Sequence, residues 1–325
     1  MVETTVTGSY PRVSDVHDGQ RLRRAIARWE RQEISREELR KVQVDVLQEV
    51  VREQASLGVD LVTDGQVTWY DGLSHFAAKL EGFEIGGLLR YFDTNTYYRQ
   101  PRAKGKVRWV RPMTVEDWMA ASAVSPVPVK AVLTGPYTLA TLSERPASRA
   151  HDLVWDLAVA LGHEVDALVH AGATHIQIDE PALSRETALP KGYEEIVKEV
   201  LTGRGRARTI LFVCFGGVGP LLPDLLDLPF HVLGLDLVQG ASTLEALRGV
   251  ETDKGIAFGL VDARNTKMED PKAVAEQVLA FANGVPLDRS YVAPSNGLEF
   301  LPRANAREKV RLLVSAAHLV REVAE

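Results

Sequence analysis

The chain has 325 residues, 45% of them hydrophobic and 25% charged, with a net charge of −6. That is the make-up of a globular protein with a large core, and its acidic balance argues against nucleic-acid and anionic-membrane partners. Cys214 is the only cysteine, which excludes an intrachain disulfide and any structural zinc site built on two or more cysteines. No apolar run approaches the roughly 18 residues of a spanning helix. The N-terminal Met1–Val13 stretch lacks the basic-then-apolar layout of a leader, so the expected location is the cytoplasm.

Short runs that are β-branched and apolar on both faces alternate with amphipathic stretches. In chain order the pattern predicts a strand at Thr4–Gly8, helices at Gln20–Arg31 and Arg36–Leu57, and a strand at Asp60–Thr63. A segment from Glu84 to Pro112 breaks the alternation. It is aromatic and Thr-rich around Tyr91-Phe92-Asp93-Thr94-Asn95 and reads as an extended hairpin. A helix at Thr114–Ala121 leads to a strand at Val129–Leu133, and helix His151–Ala171 to strand His175–Ile178. Helix Tyr193–Leu201 precedes strand Ile210–Cys214, and helix Leu221–Leu226 precedes strand Val232–Leu237. Then come helix Leu244–Leu247, strand Gly255–Leu260, helix Pro271–Ala282, strand Tyr291–Ala293 and helix Ala304–Val320.

Eight strands alternating with helices predict an α/β fold, a single (β/α)8 TIM barrel over residues 1–325 with residues 84–112 inserted after strand two. The alternative is an open doubly wound sheet, but no Gly-x-Gly-x-x-Gly follows the first strand. Ser35 and Thr114 each stand three residues before an acidic residue, the capping-box spacing, and Pro271 suits a first helical position.

In a barrel, chemistry belongs at the C-terminal ends of the strands. Those ends carry Gly8 and Ser9, then Gln66 with Tyr70 and Asp71, then Asp179 and Glu180, then Cys214, Asp236, Arg264 and Asn296. Two carboxylates directly after the apolar run Ile176–Ile178 make Asp179 and Glu180 the strongest candidates. Cys214 reads either as a small buried apolar group or as a reactive thiol. The expected catalytic groups are Asp179, Cys214 and Asp236. The expected substrate contacts are Gly8, Ser9, Gln66, Tyr70, Asp71, Glu180, Arg264 and Asn296.

Four stretches, Thr7–Arg12, Val129–Pro136, Ile176–Leu183 and Pro294–Leu298, resemble cobalamin-independent methionine synthase, and the likeness runs in order over nearly the whole chain. The resemblance implies a methyltransferase such as 5-methyltetrahydropteroyltriglutamate–homocysteine methyltransferase, acting on a small thiol or amino-acid-like substrate. It implies a folate- or corrinoid-type methyl donor. That family's two-barrel enzyme binds a catalytic zinc in its C-terminal barrel only. Trp69-Tyr70-Asp71, Tyr91–Asn95, Gly234–Val238, Arg264-Asn265 and the basic helix Arg21–Ala25 are more similar to the zinc-free N-terminal barrel. By position Arg12 and Arg23 inherit the task of holding the folate tail; the other reading of the basic helix is a solvated face.

Where the zinc-bearing barrel has its ligands, this chain has Phe212, Cys214, Asp236 and Asn296. Gln66 replaces a carboxylate and Arg264 a histidine, while Asp179, which holds the substrate ammonium in the family, is kept. The resemblance therefore implies no bound zinc. It leaves two alternatives to an altered enzyme: a non-catalytic barrel that partners a separate zinc-bearing barrel protein, or a binding protein for a pterin or corrinoid-linked ligand.

Overall fold

The computed structural model describes residues 1–14, 19–92, 94–146 and 150–324; Asp93 of the hairpin motif and Glu325 lie outside them. The strands are β1 (Glu3–Thr4), β2 (Val62–Thr63), β3 (Leu80–Arg90), β4 (Tyr97–Trp109), β5 (Val129–Thr134), β6 (His175–Asp179), β7 (Arg208–Val213), β8 (Val232–Asp236), β9 (Gly255–Val261) and β10 (Tyr291–Pro294). Eight of them form one parallel sheet in the order β1-β10-β9-β8-β7-β6-β5-β2. A bridge between Thr5 and Leu61 joins its two ends, so the sheet closes into a barrel. The first two strands are shorter than the apolar runs predict: ladder pairing is confined to Glu3–Thr4 and Val62–Thr63, and Thr5 and Leu61 add a single bridge.

The helices are α1 (Arg21–Glu30), α2 (Arg36–Ser56), α3 (Ser74–Ala77), α4 (Val115–Ser122), α5 (Pro136–Thr141), α6 (Ala150–His170), α7 (Tyr193–Val200), α8 (Leu222–Asp227), α9 (Ala241–Leu247), α10 (Pro271–Leu279) and α11 (Arg303–Ala324). Ser35 opens α2 with the expected capping box: its hydroxyl accepts from Glu38 N at 3.1 Å and its amide donates to Glu38 Oε2 at 2.8 Å. Thr114 departs from expectation. Its hydroxyl donates instead to the buried Glu164 at 2.8 Å, and the carboxylate of Glu164 takes over the amides of Met113 and Thr114. A distant acid on α6 thus does the work that local spacing assigned to a capping box.

Strand alternation divides the core in two. Along β7, Leu211 and Val213 face the helices, whereas Ile210, Phe212 and Cys214 join Leu61, Val232, Ala257, Tyr291 and Ala293 in the lumen. The ring of Phe212 is fully buried against Gly234, where an added Cβ would lie 2.2 Å from the ring. Only glycine at 234 leaves room for that ring. The hairpin β3–β4 pairs antiparallel and leans back toward the mouth, where Arg99 N donates to Asp71 at 3.1 Å. It begins four residues before the predicted excursion, at Leu80, because β3 continues straight from α3. Among the described residues no helix is long and apolar enough to cross a membrane.

Candidate active site

A cavity of about 410 Å3 opens at the C-terminal ends of the strands. Gly8, Ser9, Arg12, Gln66, Tyr70, Asp71, Asp179 and Cys214 all line it, so closure of the barrel brings these sequence candidates together. Asp179 is the last residue of β6 and points inward, following Gln177 along the lumen face. Burial pushes its carboxyl up to about 7, although Gln177 and Lys130 pull the other way.

Beneath Asp179 runs a buried polar chain that the sequence reading passed over. Lys130 Nζ, inside the barrel, donates to Thr5 Oγ1 at 3.0 Å, to the Val6 carbonyl at 2.9 Å and to Gln177 Oε1 at 2.6 Å. Gln177 Nε2 then donates to Asp179 Oδ1 and to the Thr7 carbonyl, both at 2.6 Å. Lys130 fixes which end of the amide is the acceptor, so Asp179 always meets an N–H. The signal was present: a lysine in the middle of an apolar strand has nowhere to go but the lumen.

Glu299 is the second missed residue. It lies in the turn after β10, lines the cavity, and accepts from the hydroxyl of Ser9. Burial raises its pKa, and the nearby Arg12 opposes that. Among the described residues neither Asp179 nor Glu299 forms an ion pair. Cys214 lines the same cavity, and burial, followed by Asp179, Asp236 and Glu299, pushes its thiol well up, which disfavours the thiolate.

Aromatic rings roof the cavity. Tyr91 meets Phe215 edge-on at 5.6 Å between centroids, Phe92 stacks on Phe215 at 5.7 Å, and Phe300 abuts Phe215 at 6.3 Å. Phe92, Phe215 and Gln66 have left-handed φ values of 49°, 65° and 52°. Such backbone is costly for a residue with a Cβ and collects where a site dictates side-chain direction.

Five expected contacts lie elsewhere. Glu180 turns outward over Gly135 and accepts from Tyr137 N at 2.9 Å, Thr138 N at 2.7 Å and Thr138 Oγ1 at 2.6 Å. Asp236 is saturated by the amides of Phe215, Val238 and Gln239. Asn296 is fully buried behind the cavity wall, beside Ser295. Arg264 lies outside the lining and donates to Gln239 Oε1 at 2.9 Å. Arg23 is exposed on α1, away from the mouth. Asp71 does line the cavity, but its carboxylate caps α3 through Leu73 N, Ser74 N and Ser74 Oγ.

The family model described as "Cobalamin-independent synthase, Catalytic domain" matches residues 2–319. The chain belongs to the cobalamin-independent methionine synthase family. A protein of Saccharolobus solfataricus named methionine synthase is 32% identical over 99% of this chain and 96% of its own length. One of Sulfurisphaera tokodaii with the same name is 32% identical over 99% of this chain and 93% of its own. In structure, a B12-independent methionine synthase from Shewanella sp. W3-18-1, solved in complex with selenomethionine, covers 100% of this chain at a TM-score of 0.83 and 21% identity. That likeness carries the fold.

The family implies a zinc, and the residues at the strand ends do not fit one. Phe212 offers no donor atom and fills the lumen, Asn296 offers an amide, and the carboxylate of Asp236 is spent on three backbone amides. Among the described residues no group of three or more His, Cys, Asp or Glu side chains is placed to hold a metal ion.

Proposed function

We propose that the mouth binds a small amino-acid-like methyl acceptor or its methylated product, with the ammonium between Asp179 and Glu299. The observation that supports this reading is the pair of carboxylates facing one cavity, half-buried Asp179 and exposed Glu299, neither of them in an ion pair among the described residues. An ammonium there exchanges a costly buried charge for a charge-assisted hydrogen bond. The substrate carboxylate would lie toward Arg12 and the backbone of Gly8 and Ser9. The names of the relatives make homocysteine the first acceptor to test. The aromatic roof of Tyr91, Phe215 and Phe300 suits the flat ring of a folate-type donor, and a corrinoid carrier is the other donor class.

Methyl transfer to sulfur needs a thiolate. Burial, and then the acids Asp179, Asp236 and Glu299, push the Cys214 thiol up, and a substrate sulfur set among the same acids would also be disfavoured as a thiolate. This favours a second reading alongside the first: the barrel holds ligand as the zinc-free type does, and a separate zinc-bearing barrel activates the sulfur. A methionine-formation assay with homocysteine and either methyltetrahydropteroyltriglutamate or methylcobalamin separates the two. Product from this chain alone supports the enzyme. Product only after a zinc-bearing single-barrel relative is added supports the partner reading. No product together with no homocysteine or methionine binding overturns both.

A further inference from the structure

At the opposite end of the barrel, where the strands begin, the chain gathers several cations around a single lining acid, Asp253. Arg208 opens β7, and His231, Lys254 and Arg289 stand just before β8, β9 and β10. With Arg204 and Asp253 they line a cavity of about 460 Å3. Three of the cations, Arg208, Lys254 and Arg289, are fixed by carbonyl acceptors. Lys254 Nζ donates to the carbonyls of Leu228 at 2.8 Å and Phe230 at 2.9 Å. Arg208 Nη2 donates to the Arg289 carbonyl at 2.5 Å, and Arg289 Nη1 to the Asp253 carbonyl at 3.2 Å. Among the described residues none of Arg204, Arg208, Lys254 and Arg289 has a carboxylate ion-pair partner, although Asp253 lines the same cavity. Carbonyls set position without cancelling charge, so the repulsion within the cluster stands.

His231 adds a more specific signal. Thr209 N donates to His231 Nδ1 at 3.0 Å, so Nδ1 is an acceptor and Nε2 carries the ring proton. That Nε2 lies 3.4 Å from Arg204 Nη1. Two N–H donors therefore face each other, and only an acceptor between them satisfies both. Burial, followed by Arg204, Arg208 and Lys254, lowers the His231 pKa, which agrees with a neutral ring.

We propose that this cavity is an anion site for a phosphate-bearing small molecule, whose oxygens accept from Arg204, His231 and Arg289. A phosphate suits donors that arrive from several loops, because its oxygens point in three or more directions and pair with arginine forks; a carboxylate offers two in one plane. The cavity volume lies in the usual range for small-molecule sites. The site shares no residue with the mouth and does not depend on the methyl-transfer reading.

Titration of inorganic pyrophosphate into the full chain, by calorimetry and thermal unfolding at constant ionic strength in sodium chloride, is the test. Saturable binding and a raised melting temperature are expected. Arg204→Gln and Arg289→Gln, both on the cavity rim, should each weaken binding roughly tenfold without lowering the melting temperature of the anion-free protein. Citrate should bind roughly tenfold more weakly than pyrophosphate. The proposal fails if chloride at equal ionic strength stabilises as well, if both variants bind like the parent, or if citrate binds as tightly.

Discussion

At the mouth of the barrel Asp179 and Glu299 face one cavity, and at the other end Arg204, Arg208, Lys254 and Arg289 face another; among the described residues neither set forms an ion pair. The two ends handle unpaired charge differently. At the mouth, strand alternation turns Asp179 into the lumen, where loss of water moves its pKa to about 7. At the base the side chains are half-buried or exposed, and carbonyls pin Arg208, Lys254 and Arg289, so their mutual repulsion is open to screening by salt. A proton is therefore the natural perturbation of one end, and ionic strength of the other.

The sharpest way to break this account of the mouth is to compare adjacent acids. Glu180→Ala leaves the amides of Tyr137 and Thr138 without their buried acceptor and should destabilise the fold by about 3–5 kcal/mol, read by denaturant unfolding. Asp179→Asn keeps an acceptor for Gln177 and should not lower the melting temperature. It should instead lower affinity for an amino-acid ligand roughly ten- to a hundredfold. A stability loss in Asp179→Asn as large as that in Glu180→Ala would move Asp179 from the site to the scaffold.

The pH dependence follows from the same shift. A bound ammonium needs ionised Asp179, so affinity should fall as pH drops below about 7, by roughly tenfold per unit. Stability without ligand runs the other way. A carboxyl whose folded pKa is raised adds stability that is full below its unfolded value and lost as pH rises through about 7. Asp179→Asn should flatten both profiles, and titration and thermal melts across that window check them. At the base the expected effect is smallest: Arg289→Gln should raise stability at low salt by roughly 0.5 kcal/mol, and the gain should vanish at about 1 M salt.

Much of the barrel was legible in the sequence because strands such as β9 and β10 are buried on both faces and stand out as unbroken apolar runs. The strand-end rule also found Ser9, Gln66, Asp179 and Cys214. It failed where a polar residue at a strand end is consumed locally. Asp236 looks like a site residue in sequence, yet the amides two and three residues on claim it, as Asp residues in tight turns commonly do. Glu180 shows the same limit at long range, since nothing next to it in sequence announces the α5 amides it accepts from. Glu299 was missed because it sits in a turn five residues past the end of β10, where chain distance hides its reach into the mouth.

The most direct test of the central claim is a calorimetric titration of methionine and of its deaminated analogue, 4-(methylthio)butanoate, into the parent chain and Asp179→Asn at about pH 8, above the Asp179 pKa of about 7. The account predicts that methionine binds at least roughly tenfold tighter than the analogue, and that Asp179→Asn removes most of the difference. Equal binding of the two compounds by the parent chain, or a preference that survives in Asp179→Asn, would contradict it.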